Sequence, residues 1–173
     1  GSDLGAEKFF DIKARYGDLD VAGAVIVATV RSIKHNAGVA KSELSNENVA
    51  ALEEGIVNLE RHVENVRKFG VTPVVALNRF TTDSEAELDF LKNWAQTKDI
   101  ALAEADVWAK GGDGALELAQ TLLDNLTEGT SHPLYDPAEG VEASIETIAK
   151  EIYRAADVQY SAAALKDLQT LKD

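Results

Sequence analysis

Cysteine is absent from the 173 residues. Disulfides, thiolate metal sites and cysteine nucleophiles are excluded together, and a reducing compartment suits such a chain. Positive charge is scarce: 17 Lys and Arg stand against 30 Asp and Glu, a net charge of −13. That balance repels phosphate backbones and anionic membrane surfaces, so nucleic acid and membrane are not expected as partners. No apolar run approaches the ~20 residues that span a bilayer, and no leader pattern opens the chain. A cytoplasmic, soluble protein is the expectation. His35, His62 and His132 lack metal-ligand spacing and are expected on the solvated surface, so no metal ligand is nominated. Acidic clusters at Glu53-Glu54 and from Asp83 to Glu87 read as solvated helix faces. There is no G-x-S-x-G elbow, no glycosidase carboxylate pair and no G-x-x-x-x-G-K-[ST] phosphate loop.

What is present is enough chain for one packed domain. Three short apolar stretches bounded by breakers read as buried strands: VAGAVIVATV (21–30), VTPVVALNRF (71–80) and IALAEADV (100–107). Between the first two, Val49, Leu52, Ile56, Leu59, Val63 and Val66 recur at steps of three and four. They mark a long amphipathic helix with Ser45 as its N-cap and Gly70 as its stop. DSEAELDFLKNWAQTK and GALELAQTLLDNL supply two more helices, and GAEKFFDIKARYG (5–17) a leading one with Phe9, Phe10 and later Trp94 in the core. Alternating strands and helices predict a three-layer α/β core with a mostly parallel sheet and helices on both faces. Residues 1–126 are expected to form that core. Residues 127–173 follow as a loop and C-terminal helices, at about 141–155 and 161–171, packing on the same domain. A chain opening Gly1-Ser2 without Met is expected to be a piece of something longer.

Ligands of open α/β sheets sit beyond the carboxyl ends of the strands, which directs attention to loops 31–42, 78–84 and 107–114. In the first, Arg31, Lys34, His35 and Asn36 crowd together where an apolar strand stops. Such groups can meet an anionic ligand, or can simply bond nearby carbonyls. In the third, WAKGGDG leads into a helix, so Lys110 and the amides of Gly111, Gly112 and Gly114 are candidate cofactor-binding groups. Phe80 and Trp108 occupy equivalent places at successive strand ends. Two such rings can sandwich a flat heterocycle, each contributing about 0.5–1.5 kcal/mol beyond area burial. The alternative is that both pack under their loops.

The order of elements from 71 onward has the layout of the second half of a P-loop nucleotide-binding domain. Asn78 is in place, but the base-reading Asp position holds Thr81 and Asp83 falls two residues late. Guanine reading is therefore not expected, and no complete GTPase is present on these residues. The motifs themselves resemble another family. VATVRSIKHNAG (27–38) is similar to the second signature of formate-tetrahydrofolate ligase, V-A-T-[IV]-R-A-L-K-x-[HN]-G-G, departing at Ser32, Ile33 and Ala37. GSDLGAEKFFDIKARYG resembles that family's G-A-D-L-G-A-E-K-F-F-D-I-K-C-R, with Ser2 and Ala14 as differences. NRFTTDSEAEL and ADVWAKGGDGALELA resemble two further blocks.

The resemblance implies an ATP-dependent ligase that makes 10-formyltetrahydrofolate from formate by way of formyl phosphate. It implies Phe80 and Trp108 as the rings that stack on the pterin. Thr81 and Glu104 would stand in the same pocket wall, where the family more often has Pro and Leu. ATP with Mg²⁺ would serve the full-length enzyme, with a monovalent cation as a further option, and none is expected on this fragment. Partners would be the remainder of the chain, small-molecule substrates and further copies in a homo-oligomer. Arg31, Lys34 and Asn36 would line the cleft of the complete enzyme, and the piece alone would be inactive. The competing reading is a catalytically silent α/β binding or assembly module, with helix 44–69 packing between copies.

Overall fold

The structure is a computed structural model that describes residues 5–172; Ser2 of the opening motif lies outside the described residues. In chain order, α1 (Ala6–Lys8), a π-helical stretch (Phe9–Ala14) and α2 (Arg15–Gly17) make one leading helical run. Then come β1 (Ala24–Ala28), α3 (Val30–Asn36), α4 (Val49–Lys68), β2 (Pro73–Asn78), α5 (Glu85–Thr97), β3 (Ala101–Ala105), α6 (Val107–Lys110) and α7 (Leu116–Asp124). The chain closes with α8 (Val141–Thr147), a π-helical extension (Ile148–Ile152) and α9 (Ala162–Lys172). Contacts divide these elements into two units, residues 20–131 and residues 5–19 with 132–172.

In the first unit the three strands pair in parallel in the order β1-β2-β3. Ala24 stands opposite Pro73, and Val74 opposite Ala101. β2 is buried along its length from Pro73 to Leu77. A central parallel strand is covered on both faces, so it reads as an uninterrupted apolar run. β1 behaves differently: Ile26 and Ala28 are buried, whereas Val25 and Val27 are exposed. The buried side lies toward α4, which packs on β1 and β2. On the other side, Leu122 of α7 and Leu126 just after it would touch a Cβ placed on Gly23, two residues before Val25. α7 packs mainly on β3 and β2, and Val25 and Val27 of β1 stay exposed.

Residues 31–42, expected as a loop, begin instead within the helix α3. Thr29 stops β1 and starts that helix at once: its hydroxyl accepts from the Ser32 amide at 2.9 Å while the Ser32 hydroxyl accepts from the Thr29 amide at 3.3 Å. This reciprocal cap fixes the chain's turn immediately after the strand. α4 is capped by Asn48, whose side chain accepts from Ala51 at 3.0 Å, rather than by Ser45. Its stripe of Leu52, Ile56, Leu59, Val63 and Val66 is buried as its spacing predicts. Each such side chain contributes about 1.5–3 kcal/mol by leaving water. α3 approaches α4 so closely that a Cβ on Gly55 would lie 2.0 Å from the Ile33 carbonyl oxygen.

Three further expectations are corrected by burial. His62 is buried on α4 rather than solvated, Glu87 is buried within the acidic cluster of α5, and Phe9 is exposed while Phe10 and Trp94 are buried. In the second unit, Asp11 accepts from the Leu134 amide at 2.7 Å and the Tyr153 hydroxyl donates to Glu7 at 2.8 Å. Arg15 donates to the Tyr135 carbonyl and stacks over its ring at 4.6 Å. These links tie the leading helical run to residues 132–153, a long-range pairing with no local sequence signal.

Candidate functional site

The site begins where β2 and β3 end. After Asn78, the Arg79 amide donates to the Ala105 carbonyl at 3.0 Å, which carries the β2–β3 ladder one step further. The Arg79 guanidinium spans Glu85 at 2.9 Å and Glu104 at 3.3 Å. The chain then turns: the Asp83 carboxylate accepts from the Phe80 amide at 2.8 Å, and the Asp83 amide donates to the Phe80 carbonyl at 3.1 Å. Ser84 follows as the N-cap of α5, in a reciprocal cap with Glu87. At this closed turn the Phe80 side chain stands 39% exposed. Burial lifts the Asp83 carboxyl above its ordinary value, although the bond from the Phe80 amide opposes this.

One strand over, Asp106 ends β3 and opens the one-turn helix α6, which projects Trp108 at 89% exposure. The chain returns through a 3₁₀ turn, Gly111–Ala115, and the Asp106 amide donates to the Gly114 carbonyl at 3.0 Å. Gly114 is required there: a Cβ would lie 2.3 Å from the Asp106 carbonyl oxygen. Between the two strand ends lies an open hollow of about 660 Å³, lined by Asn78, Arg79, Phe80 and Thr81 from one side and Asp106, Trp108 and Ala109 from the other. It offers two aromatic faces, a side-chain amide, a guanidinium and a carboxylate, the set that suits a flat, partly polar ring system.

Of the sequence candidates, the structure brings Phe80, Thr81 and Trp108 together on this hollow. Glu104 is not on it: its carboxylate is held by Arg79 and by Lys92 at 2.6 Å. That bond raises the Lys92 pKa. Arg31 lies with its guanidinium 5.2 Å over the Phe80 ring and donates to Ser45 at 3.1 Å. Asn36 is exposed at the last turn of α3. Lys34 lines no cleft; it is buried and paired with Glu87 at 2.7 Å. Lys110 is exposed and pairs with Asp106 at 3.3 Å. Gly111 and Gly112 front open space, where an added Cβ would meet nothing. Sequence reasoning did not nominate Arg79, Asp106 or Ala109. Their positions at the ends of β2 and β3 were the available signal, since the ends of a parallel sheet's strands carry its site.

The family model of formate-tetrahydrofolate ligase matches residues 1–173. The chain belongs to the formate-tetrahydrofolate ligase family. It is 59% identical over 173 residues to the formate-tetrahydrofolate ligase of Corynebacterium diphtheriae. To the proteins of the same name from Corynebacterium jeikeium and Staphylococcus aureus strain JH9 it is 51% identical over 180 residues and 48% over 174. Each comparison takes in the whole of this chain but only 32%, 30% and 31% of the relative. The chain thus spans about a third of the length of these ligases. The ligase motif at 27–38 falls across β1 and α3, and the blocks containing Phe80 and Trp108 fall at the ends of β2 and β3. Among the described residues no group of three or more His, Cys, Asp or Glu could hold a metal ion, and no helix is long and apolar enough to cross a membrane.

Proposed function

We propose that this chain is the tetrahydrofolate-stacking part of a ligase that makes 10-formyltetrahydrofolate from formate and ATP by way of formyl phosphate. The observation that carries this reading is Trp108, 89% exposed on a one-turn helix and sharing a hollow with Phe80. An indole held in water by a glycine-closed turn has lost its hydrophobic stabilisation, and a planar ligand restores it. The pterin fits: its faces meet the rings, and its amidine-like edge offers donors to the Asp106 carboxylate.

The residues present do not fit ATP with Mg²⁺. No phosphate loop occurs, Gly111 and Gly112 front open space, and Lys110 is engaged by Asp106. Phosphoryl transfer rests on positioned phosphate-binding groups, so it belongs to parts of the ligase beyond this chain. The sheet is then the second half of a P-loop-like domain. Its uncovered β1 face supports that assignment, because parallel sheets are covered on both sides and Val27 is 53% exposed here. The isolated chain is expected to form no formyl phosphate. The test is a coupled assay with ATP and formate; sustained 10-formyl product from the purified piece overturns the assignment.

A further inference from the structure

Two charged side chains of the family motifs take no part in the hollow. Lys34 of α3 is 1% exposed and Glu87 of α5 is fully buried, with Nζ and Oε1 2.7 Å apart. The carboxylate has three partners on three segments. Oε1 accepts from Lys34 and, at 2.9 Å, from the amide of Asn48, the N-cap of α4; Oε2 accepts at 3.1 Å from the amide of Ser84, the N-cap of α5. Lys34 also donates to the Asn46 carbonyl at 2.9 Å. One group therefore holds α3 and the starts of two other helices at a single point.

That point is linked to the stacking wall twice. Ser84 ends the turn that Phe80 begins, the turn closed by Asp83. Arg31 stands three residues before Lys34, on the same side of α3, with its guanidinium over the Phe80 ring. A buried ion pair adds little net stability over an apolar pair of the same size, but breaking it strands a charge. It thus excludes alternative settings of the segments it joins. We propose that Lys34 and Glu87 are positioning residues for the stacking wall. Their ion pair sets α3 against the segment 80–87, holding Arg31 on one face of Phe80 and presenting the other face to the ligand. This rests on the reading of Phe80 as a folate-stacking ring.

The test uses the complete ligase polypeptide that carries this stretch. The double variant Lys34→Met with Glu87→Gln removes both charges at nearly constant volume. It is expected to melt cooperatively near the parent, to raise KM for tetrahydrofolate about tenfold through misplacement of the ring, and to leave KM for ATP and formate within about twofold. A 4-fluorophenylalanine at position 80 should show a displaced ¹⁹F resonance in the variant. If the double variant lacks a cooperative melt, Glu87→Asp, which keeps the charge and retracts the carboxylate, is read by the same measures. Phe80→Ala separates the two levels. If it leaves the folate KM unchanged, the stacking reading fails and the proposal with it. If Phe80→Ala raises that KM but the pair variant keeps both the parent KM and the parent resonance, the positioning proposal alone is overturned. A parallel rise in all three KM values, which marks general loosening, overturns it as well.

Discussion

Trp108→Ala in the complete ligase separates binding from folding more cleanly than any other single change. The side chain is 89% exposed, so its removal takes almost no buried surface from the folded chain. Stability is expected to change by no more than about 0.5 kcal/mol, the usual range for surface positions. Binding is another matter. An aromatic side chain of this kind buries about 200 Å², and a ligand covering one face removes roughly half of that from water. At about 25 cal/mol per Å², 100 Å² is worth ~2.5 kcal/mol. Ring-on-ring geometry adds about 0.5–1.5 kcal/mol. The sum, about 3–4 kcal/mol, corresponds to a loss of the order of 10²–10³ in affinity. Steady-state kinetics with each substrate varied in turn should place the loss in tetrahydrofolate, with KM for ATP and formate close to the parent. Thermal melting should coincide with the parent. A variant that melts like the parent and keeps its folate KM refutes the stacking argument.

Further expectations follow from the surrounding framework. Burial pushes the Glu87 carboxyl up, but the bonds from Lys34, Asn48 and Ser84 outweigh it and hold the group below its ordinary value of 4.5. Its contribution is therefore complete above that value and is lost as pH falls through the folded value. Melting curves between about pH 3 and pH 7 should show an acid-side loss that Glu87→Gln flattens; an unchanged acid limb contradicts the assignment. Gly55→Ala places a Cβ 2.0 Å from the Ile33 carbonyl oxygen and should cost about 1–3 kcal/mol in denaturant titration. Gly112→Ala meets open space and should unfold like the parent. Val27→Asp charges the uncovered face of β1. In a ligase expressed as this piece and its remainder, it should weaken their co-purification, and unimpaired recovery argues that the face stays bare.

The helices of the first unit were largely legible because each is written in local terms. The stripe from Val49 to Val66 has helical period, whereas the Ser84–Glu87 capping pair, local as its spacing is, went unread because Glu87 reads as a solvated acid. Errors arose where one residue served two neighbours. Thr29 belongs to an apolar run yet caps α3, so the turn from strand to helix takes a single residue, and a stretch read as a loop is helical. His62 and Glu87 looked solvated because polarity is a property of the residue, whereas burial depends on partners elsewhere; Glu87 is neutralised by a lysine 53 positions away. The pairing of residues 5–19 with 132–172 was invisible for the same reason.

Sequence by itself determined the parallel strand-helix succession, the family motifs and the two aromatic rings at successive strand ends, since period, caps and turn residues act within a few positions. Tertiary structure alone decided which polar groups share the hollow with those rings, that Glu104 is drawn away by Arg79 and Lys92, and that Lys34 is buried instead of lining a cleft. The reason is that charges at long separation in the chain choose their partners only after the sheet and helices have brought them within hydrogen-bond distance.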